Sequence, residues 1–159
     1  MKPRLYMETT VPSVQTARPG KLPETIAMQN STKRWWNARL NDFEIFISPE
    51  VIREAARGDA EMAKARLEAI SSFTILPITD ESLRLRDAIL NLGFIPIKAA
   101  ADAMHLAVAA SHSMDFLLTW NCTHINNGEH EKALQRVCWS HGLDLPVIVT
   151  PNELMPPEL

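Results

Sequence analysis

Five short apolar runs constrain this chain more than any other feature: residues 4–8 (RLYME), 43–48 (FEIFIS), 73–78 (FTILPI), 115–120 (DFLLTW) and 145–150 (LPVIVT). Each is strand-length and rich in β-branched, aromatic or other apolar residues. The stretches between them carry helix punctuation. In SPEVIREAARGD, Ser48 takes the N-cap place, Pro49 the first helical position and Gly58 the stop. Asp59 caps AEMAKARLEAISS, and Thr79 caps DESLRLRDAILNLG, which stops at Gly93. Pro96 precedes a helix expected over 98–113, and EHEKALQRVCWSHG forms another that ends at Gly142. A helical turn over 12–18 and a helix over 24–40 separate the first two strands. Strand and helix therefore alternate throughout, which predicts an α/β domain with a mainly parallel sheet covered on both faces.

The chain has 159 residues, enough for one domain with a real core. At 46% hydrophobic and 22% charged it has an ordinary globular composition. A single domain is expected over 1–152, with 153–159 as a peripheral tail. No apolar stretch approaches the roughly 20 residues that span a bilayer, and the N-terminus lacks the apolar region of a signal peptide, so a cytoplasmic protein is expected. Cys122 and Cys138 fit neither a zinc spacing nor a disulfide framework and read as reduced, structural thiols. A nucleotide-binding Rossmann domain needs a glycine-rich turn after a strand. None of the five glycines lies in one, and METTVPS stands at the end of the first strand instead.

In an open parallel sheet, ligands bind beyond the carboxyl ends of the strands. Glu8 ends the first strand and Asn121 ends the fourth. Glu54 lies in the first turns of the helix after the second strand, and Asp102 in the first turns of the helix leading to the fourth. On its helix Glu54 borders the apolar stripe of Val51, Ile52, Ala55 and Ala56, whereas Glu50 lies opposite and is expected to face water. Two readings stand for Glu54: a site carboxylate, or a solvated acid paired with Arg53 or Arg57. Asp102 sits in KAAADAMHLAVAASH, apolar nearly all round and so expected to be buried. Complementing a helix N-terminus gains about 0.3–1 kcal/mol. A largely buried charge costs several times that unless it is compensated. His105, one turn on, reads as a satisfied packing histidine or a metal ligand. Asp115 begins the fourth strand and belongs to the opposite sheet edge.

The ordered set of Glu8-Thr9-Thr10, Glu54, Asp102 in ADAMHLAVAA, and DFLLTWNCTHINN resembles the PIN-domain family, in particular VapC-like toxins of type II toxin–antitoxin systems. The likeness runs from Leu5 to about Asn152 and is most specific over 101–127. It implies an α/β/α sandwich on a five-stranded, mainly parallel sheet ordered 3-2-1-4-5, and a ribonuclease dependent on Mg²⁺ or Mn²⁺. Carried over residue by residue, the catalytic and metal-binding acids are Glu8, Glu54 and Asp102. Glu8 stands where most members have Asp, and Asn121 stands where many have a further acid. The resemblance also implies an RNA substrate, a homodimer and a cognate antitoxin.

Three carboxylates meeting in a cleft repel one another by on the order of 4 kcal/mol per pair at 4 Å and an effective dielectric near 20. A hard divalent cation relieves this and prefers oxygen ligands. Glu8 and Asp102 are expected to hold it, with Glu54 orienting or deprotonating the attacking water or completing the metal shell. Thr9, Thr10 and Thr119 bond metal-bound water or phosphate, or cap strand ends. Asn121 is expected as an outer ligand. His124 touches the RNA backbone or shapes its loop. Trp35 and Trp36, adjacent on one helix beside Lys33, Arg34 and Arg39, point about 100° apart, so one is expected at an interface. The net charge of −3 argues against tight, unaided binding to long duplexes. A rival reading is a PIN-like module that has lost catalysis and binds RNA or protein.

Overall fold

The structure is a computed structural model, described here for residues 1–156. It contains β1 (Arg4–Met7), α1 (Thr10–Thr16), α2 (Pro23–Arg39), β2 (Glu44–Ile47), α3 (Pro49–Ala55), α4 (Ala60–Ile70), β3 (Thr74–Ile75), α5 (Asp80–Asn91), α6 (Ala100–Ser111), β4 (Phe116–Leu118), α7 (Glu131–Ser140) and β5 (Val147–Val149). Short 3₁₀ turns occupy Leu40–Asp42, Ile97–Ala99 and Pro151–Leu154. The five strands form one parallel sheet in the order β3-β2-β1-β4-β5, as the resemblance implied.

Chain order explains the layers. The path steps from β1 outward to β2 and β3, then crosses back to β4 and β5. Right-handed crossovers put the helices of the outward path on one face and those of the return path on the other. Packing agrees: α1 lies against α2 and α4, while α5 lies against α6 and α7. Helix α3 touches both α4 and α6, so it brings residues of the two layers together at the carboxyl edge.

The helix starts follow the expected chemistry. Asp59 accepts from the Met62 amide at 3.0 Å, and Thr79 and Ser82 form a reciprocal capping box. Gly93 adopts φ +89° just beyond α5, a conformation that L side chains rarely take. Ser48 behaves differently. It precedes Pro49 at the N-cap of α3, yet its hydroxyl makes no cap bond and is bonded to Tyr6 instead.

Strands are shorter than expected. The run 73–78 yields only Thr74–Ile75 plus one further bond, Leu76 N–H to Ile47 O at 2.8 Å. Pro77 then removes a donor and ends the edge strand. β4 stops at Leu118 because the Trp120 amide donates to the Thr10 hydroxyl rather than to a neighbouring strand. The core runs through β1, β2 and β4, and α6 is buried continuously from Ala103 to Ala110.

Two expectations are modified. Trp35 is fully buried and stacks on Phe43, while Trp36 is half-buried against Phe73, so of the adjacent pair Trp36 is the one that keeps exposed surface. The start of the expected peripheral tail is docked: Pro151–Leu154 packs on α2, the Arg39 guanidinium donates to Leu154 O at 3.3 Å, and Glu153 accepts from the Thr150 amide at 3.0 Å. Residues 157–159 of that tail lie outside the described residues.

Candidate metal centre

Glu8 follows β1 directly and is 3% exposed. A buried carboxylate needs donors or a cation. Its Oε1 accepts from the hydroxyls of Thr10 (2.5 Å) and Thr119 (2.6 Å), and its Oε2 from the Thr10 amide (3.2 Å). Those hydroxyls are themselves aimed. The Trp120 amide donates to Thr10 Oγ1 at 2.8 Å and the Asn121 amide to Thr119 Oγ1 at 2.9 Å, so each hydroxyl proton is left for Glu8. Thr119, Trp120 and Asn121 thus fix the acid of the neighbouring strand. Thr10 and Thr119 act on the carboxylate itself.

Glu54, on α3, presents the same asymmetry. Its Oε1 accepts from Thr9 Oγ1 and from His105 Nε2, both at 2.6 Å, and its Oε2 has no hydrogen-bond partner among the described residues. The expected pairing with Arg53 or Arg57 does not form. Arg53 pairs with Glu50, which is not water-facing as expected: its side chain is 13% exposed. Ala56, assigned to the apolar stripe, is exposed. The helix is only seven residues long and ends at the buried Ala55, so Ala56 is its C-cap and falls outside the stripe.

His105 is fully buried on α6. Burial opposes its charging, but the Glu54 hydrogen bond and the fields of Glu8, Glu54 and Glu50 together outweigh that and raise its pKa above the ordinary value of 6.5. Burial likewise opposes ionisation of Glu54. The His105 hydrogen bond and charge, the Thr9 hydroxyl and Arg53 outweigh it and hold the carboxyl below the ordinary 4.5.

One ligand atom each from Glu8, Glu54 and His105 lie within 4.8 Å of one another. Asp102 is not in that group. It sits one turn before His105 on α6, and its Oδ2 pairs with His124 Nδ1 at 2.7 Å. Asn121 also departs from expectation. Its Oδ1 accepts from the amides of Thr123 (3.3 Å) and His124 (3.0 Å), so it closes the loop turn that carries His124. Asp115 lies at the amino edge, accepting from the Arg4 amide at 2.8 Å.

The structure therefore brings together Glu8, Glu54, Thr9, Thr10 and Thr119; Asp102 bonds His124, and Asn121 links the two sets, its amide on Thr119 and its Oδ1 accepting from the His124 amide. Tyr6, Ser48 and the two-sided bonding of His105 were not foreseen. The signal for His105 was its place in an apolar helix, since a buried imidazole needs a partner for each nitrogen.

No described lysine or arginine forms an ion pair with Glu8, Glu54 or Asp102. Two adjacent carboxylates without a lysine or arginine partner, each with one oxygen anchored and the other less engaged or free, suit a hard divalent cation. Glu8 Oε2 and Glu54 Oε2 are the atoms that would hold it. No helix among the described residues is long and apolar enough to cross a membrane.

No protein-family model matches the sequence, and no curated protein matches it. Solved structures do. VapC20 of Mycobacterium tuberculosis, a sarcin-ricin loop cleaving toxin, aligns over 81% of this chain and 94% of its own, with TM-score 0.57 and 15% identity. VapBC2 of Rickettsia felis, bound to a DNA fragment from its promoter, aligns over 92% of this chain and 98% of its own, with TM-score 0.57 and 15% identity. With the 3-2-1-4-5 parallel sheet and the carboxylate pair at its carboxyl edge, these likenesses show that the chain has the fold of the VapC-like PIN-domain proteins.

Proposed function

We propose that this chain is a metal-dependent endoribonuclease, the toxin of a type II toxin–antitoxin pair. The observation that carries the reading is the convergence of Glu8 and Glu54 at the carboxyl edge of the sheet, each anchored through Oε1. The similarity to VapC20, which cleaves the sarcin-ricin loop, supports RNA as the substrate class. The similarity to VapBC2 supports a cognate antitoxin. A homodimer and a cytoplasmic location complete the proposal.

Bound Mg²⁺ or Mn²⁺ would supply charge neutralisation at the scissile phosphate and a lowered pKa for a bound water. The chain's own residues do the rest. Glu8 and Glu54 present their Oε2 atoms, and Asp102 adds its Oδ1 from the start of α6. Thr10 and Thr119 keep the Glu8 carboxylate from rotating. Glu54, held by Thr9 and His105, completes the metal shell and orients the attacking water. His124, fixed through Nδ1 by Asp102, stands at the rim for the RNA backbone.

Purified protein is expected to cut RNA with Mg²⁺ or Mn²⁺ and to stop with EDTA. Glu8→Gln, Glu54→Gln and Asp102→Ala are each expected to lose cleavage. Undiminished cleavage in EDTA contradicts the proposal. A second reading, a binding module without catalysis, is favoured by the commitment of Asp102 to His124. RNA binding without cleavage, unchanged by Glu8→Ala, would select it.

A further inference from the structure

A chain of buried hydrogen bonds runs behind Glu54. Ser48 Oγ lies 2.7 Å from Tyr6 Oη, Tyr6 Oη lies 2.6 Å from His105 Nδ1, and His105 Nε2 lies 2.6 Å from Glu54 Oε1. Ser48, Tyr6 and His105 have no exposed surface. The three come from the end of β2, from the central strand β1 and from α6, so the chain ties Glu54 to three separate elements of the core.

The donor rules fix the direction of the bond to Glu54. An ionised carboxylate only accepts, so that bond requires a proton on His105 Nε2. In the neutral ring Nδ1 accepts from Tyr6 and in the charged ring Nδ1 donates to it, and Nε2 keeps its proton in both. A nitrogen that carries a proton has no lone pair for a cation. A ring nitrogen of His105 lies within 4.8 Å of ligand atoms of Glu8 and Glu54, yet Nε2 is engaged by Glu54 and Nδ1 by Tyr6, which removes the ring from the ligand set.

We propose that His105, backed by Tyr6 and Ser48, is a positioning residue: it holds Glu54 by Oε1 so that Oε2 is presented beside Glu8, and it does not itself bind the cation. This rests on the reading of the site as a metal centre. Hydrogen-bond partners of ligating carboxylates fix their orientation, and losing one costs about 10–100-fold in metal affinity or activity. The arrangement also bears on metal choice. With His105 outside the ligand set, the site offers oxygen only, which favours Mg²⁺ and Mn²⁺ over Zn²⁺.

The test follows histidine ¹⁵N and ¹H signals of the full chain during titration with Mg²⁺ alone, then compares His105→Leu, His105→Gln and Tyr6→Phe. The His105 Nε2–H signal is expected to persist at Mg²⁺ saturation while backbone signals around Glu8 and Glu54 move. His105→Leu is expected to weaken Mg²⁺ binding and kcat by roughly 10–100-fold with KM little changed. His105→Gln, whose amide N–H replaces the lost donor, is expected to recover most of both. Tyr6→Phe keeps the ring's place in the core and covers the case in which His105→Leu fails to fold; a several-fold loss in Mg²⁺ affinity is expected. Loss of the Nε2–H signal on Mg²⁺ binding, or a folded His105→Leu or Tyr6→Phe that binds Mg²⁺ like wild type, overturns the positioning role while leaving the metal centre standing. If Mg²⁺ moves no signal near Glu8 or Glu54, the metal centre falls and the positioning role falls with it.

Discussion

Two carboxylate–histidine pairs meet on α6, one turn apart, and they are built differently. His105 reaches from α6 back to Glu54 on α3, with 0% and 23% of the two side chains exposed. Asp102 reaches from α6 forward to His124 in the loop after β4, with 15% and 26% exposed. The contact distances are nearly equal, 2.6 and 2.7 Å. What differs is the support. Behind His105 stand Tyr6 and Ser48, both buried. Behind His124 stands an Asn121 turn on an irregular loop. The same two groups therefore serve a rigid anchor in one place and an adjustable rim in the other. Buried polar pairs are costly to break because the survivor is left unsatisfied, whereas water replaces a lost partner at the surface.

The largest effect expected from this contrast is catalytic. Glu54→Gln should lower RNA cleavage by at least about 100-fold, beyond the range for loss of a mere supporting partner. Single-turnover assays with saturating Mn²⁺ check it. The next effect is on stability. His105→Leu removes the partner of two buried oxygens, Glu54 Oε1 and Tyr6 Oη, and should cost about 1–3 kcal/mol for each left unsatisfied. His124→Ala should cost less, because it leaves one part-buried carboxylate oxygen without its partner where His105→Leu leaves two oxygens, one of them fully buried. Urea denaturation of both variants tests the difference; equal costs would erase it.

A pH series sharpens the same contrast in the metal-free protein. The folded-state pKa of Glu54 is lowered, so its contribution is full above the ordinary 4.5 and is lost as pH falls through the folded value. That of His105 is raised, so its contribution is full below the ordinary 6.5 and is lost as pH rises through the folded value. Both are complete between those two pH values. The stability margin of wild type over His105→Gln, which keeps a donor but does not titrate, should peak in that window and shrink on either side. A margin that grows steadily toward high pH would contradict the assigned directions.

Much of the architecture was legible in the sequence because it depends on local chemistry. Thr79, Asp59, Gly58 and Gly93 mark helix ends through groups within a few residues, and the strand–helix alternation fixes a parallel sheet. Glu8 was legible as a strand-end acid for the same reason. The partners of Glu54 were not. They come from the N-cap of α1 and from α6, 45 and 51 residues away in sequence, and only packing sets them face to face. Ser48 shows the limit most clearly. Its position before Pro49 identifies an N-cap, but the fully buried hydroxyl serves Tyr6, 42 residues away on β1. Glu50 misled for a related reason: a helical wheel places a side chain around an axis but cannot place the neighbouring layer that covers it. Asp102 was read as a metal-holding acid in a buried helix; that its Oδ2 pairs with His124 depends on the loop turn closed by Asn121.

The central claim is that Glu8 and Glu54 hold one divalent cation through their Oε2 atoms while His105 stays outside the ligand set. Crystals of the protein soaked in Mn²⁺ and measured for anomalous scattering test it most directly. A single strong peak about 2.0–2.2 Å from Glu8 Oε2 and Glu54 Oε2, with His105 Nε2 still bonded to Glu54, is the predicted result. No peak between the two carboxylates at saturating Mn²⁺, or a peak bonded to His105 Nε2, would contradict it.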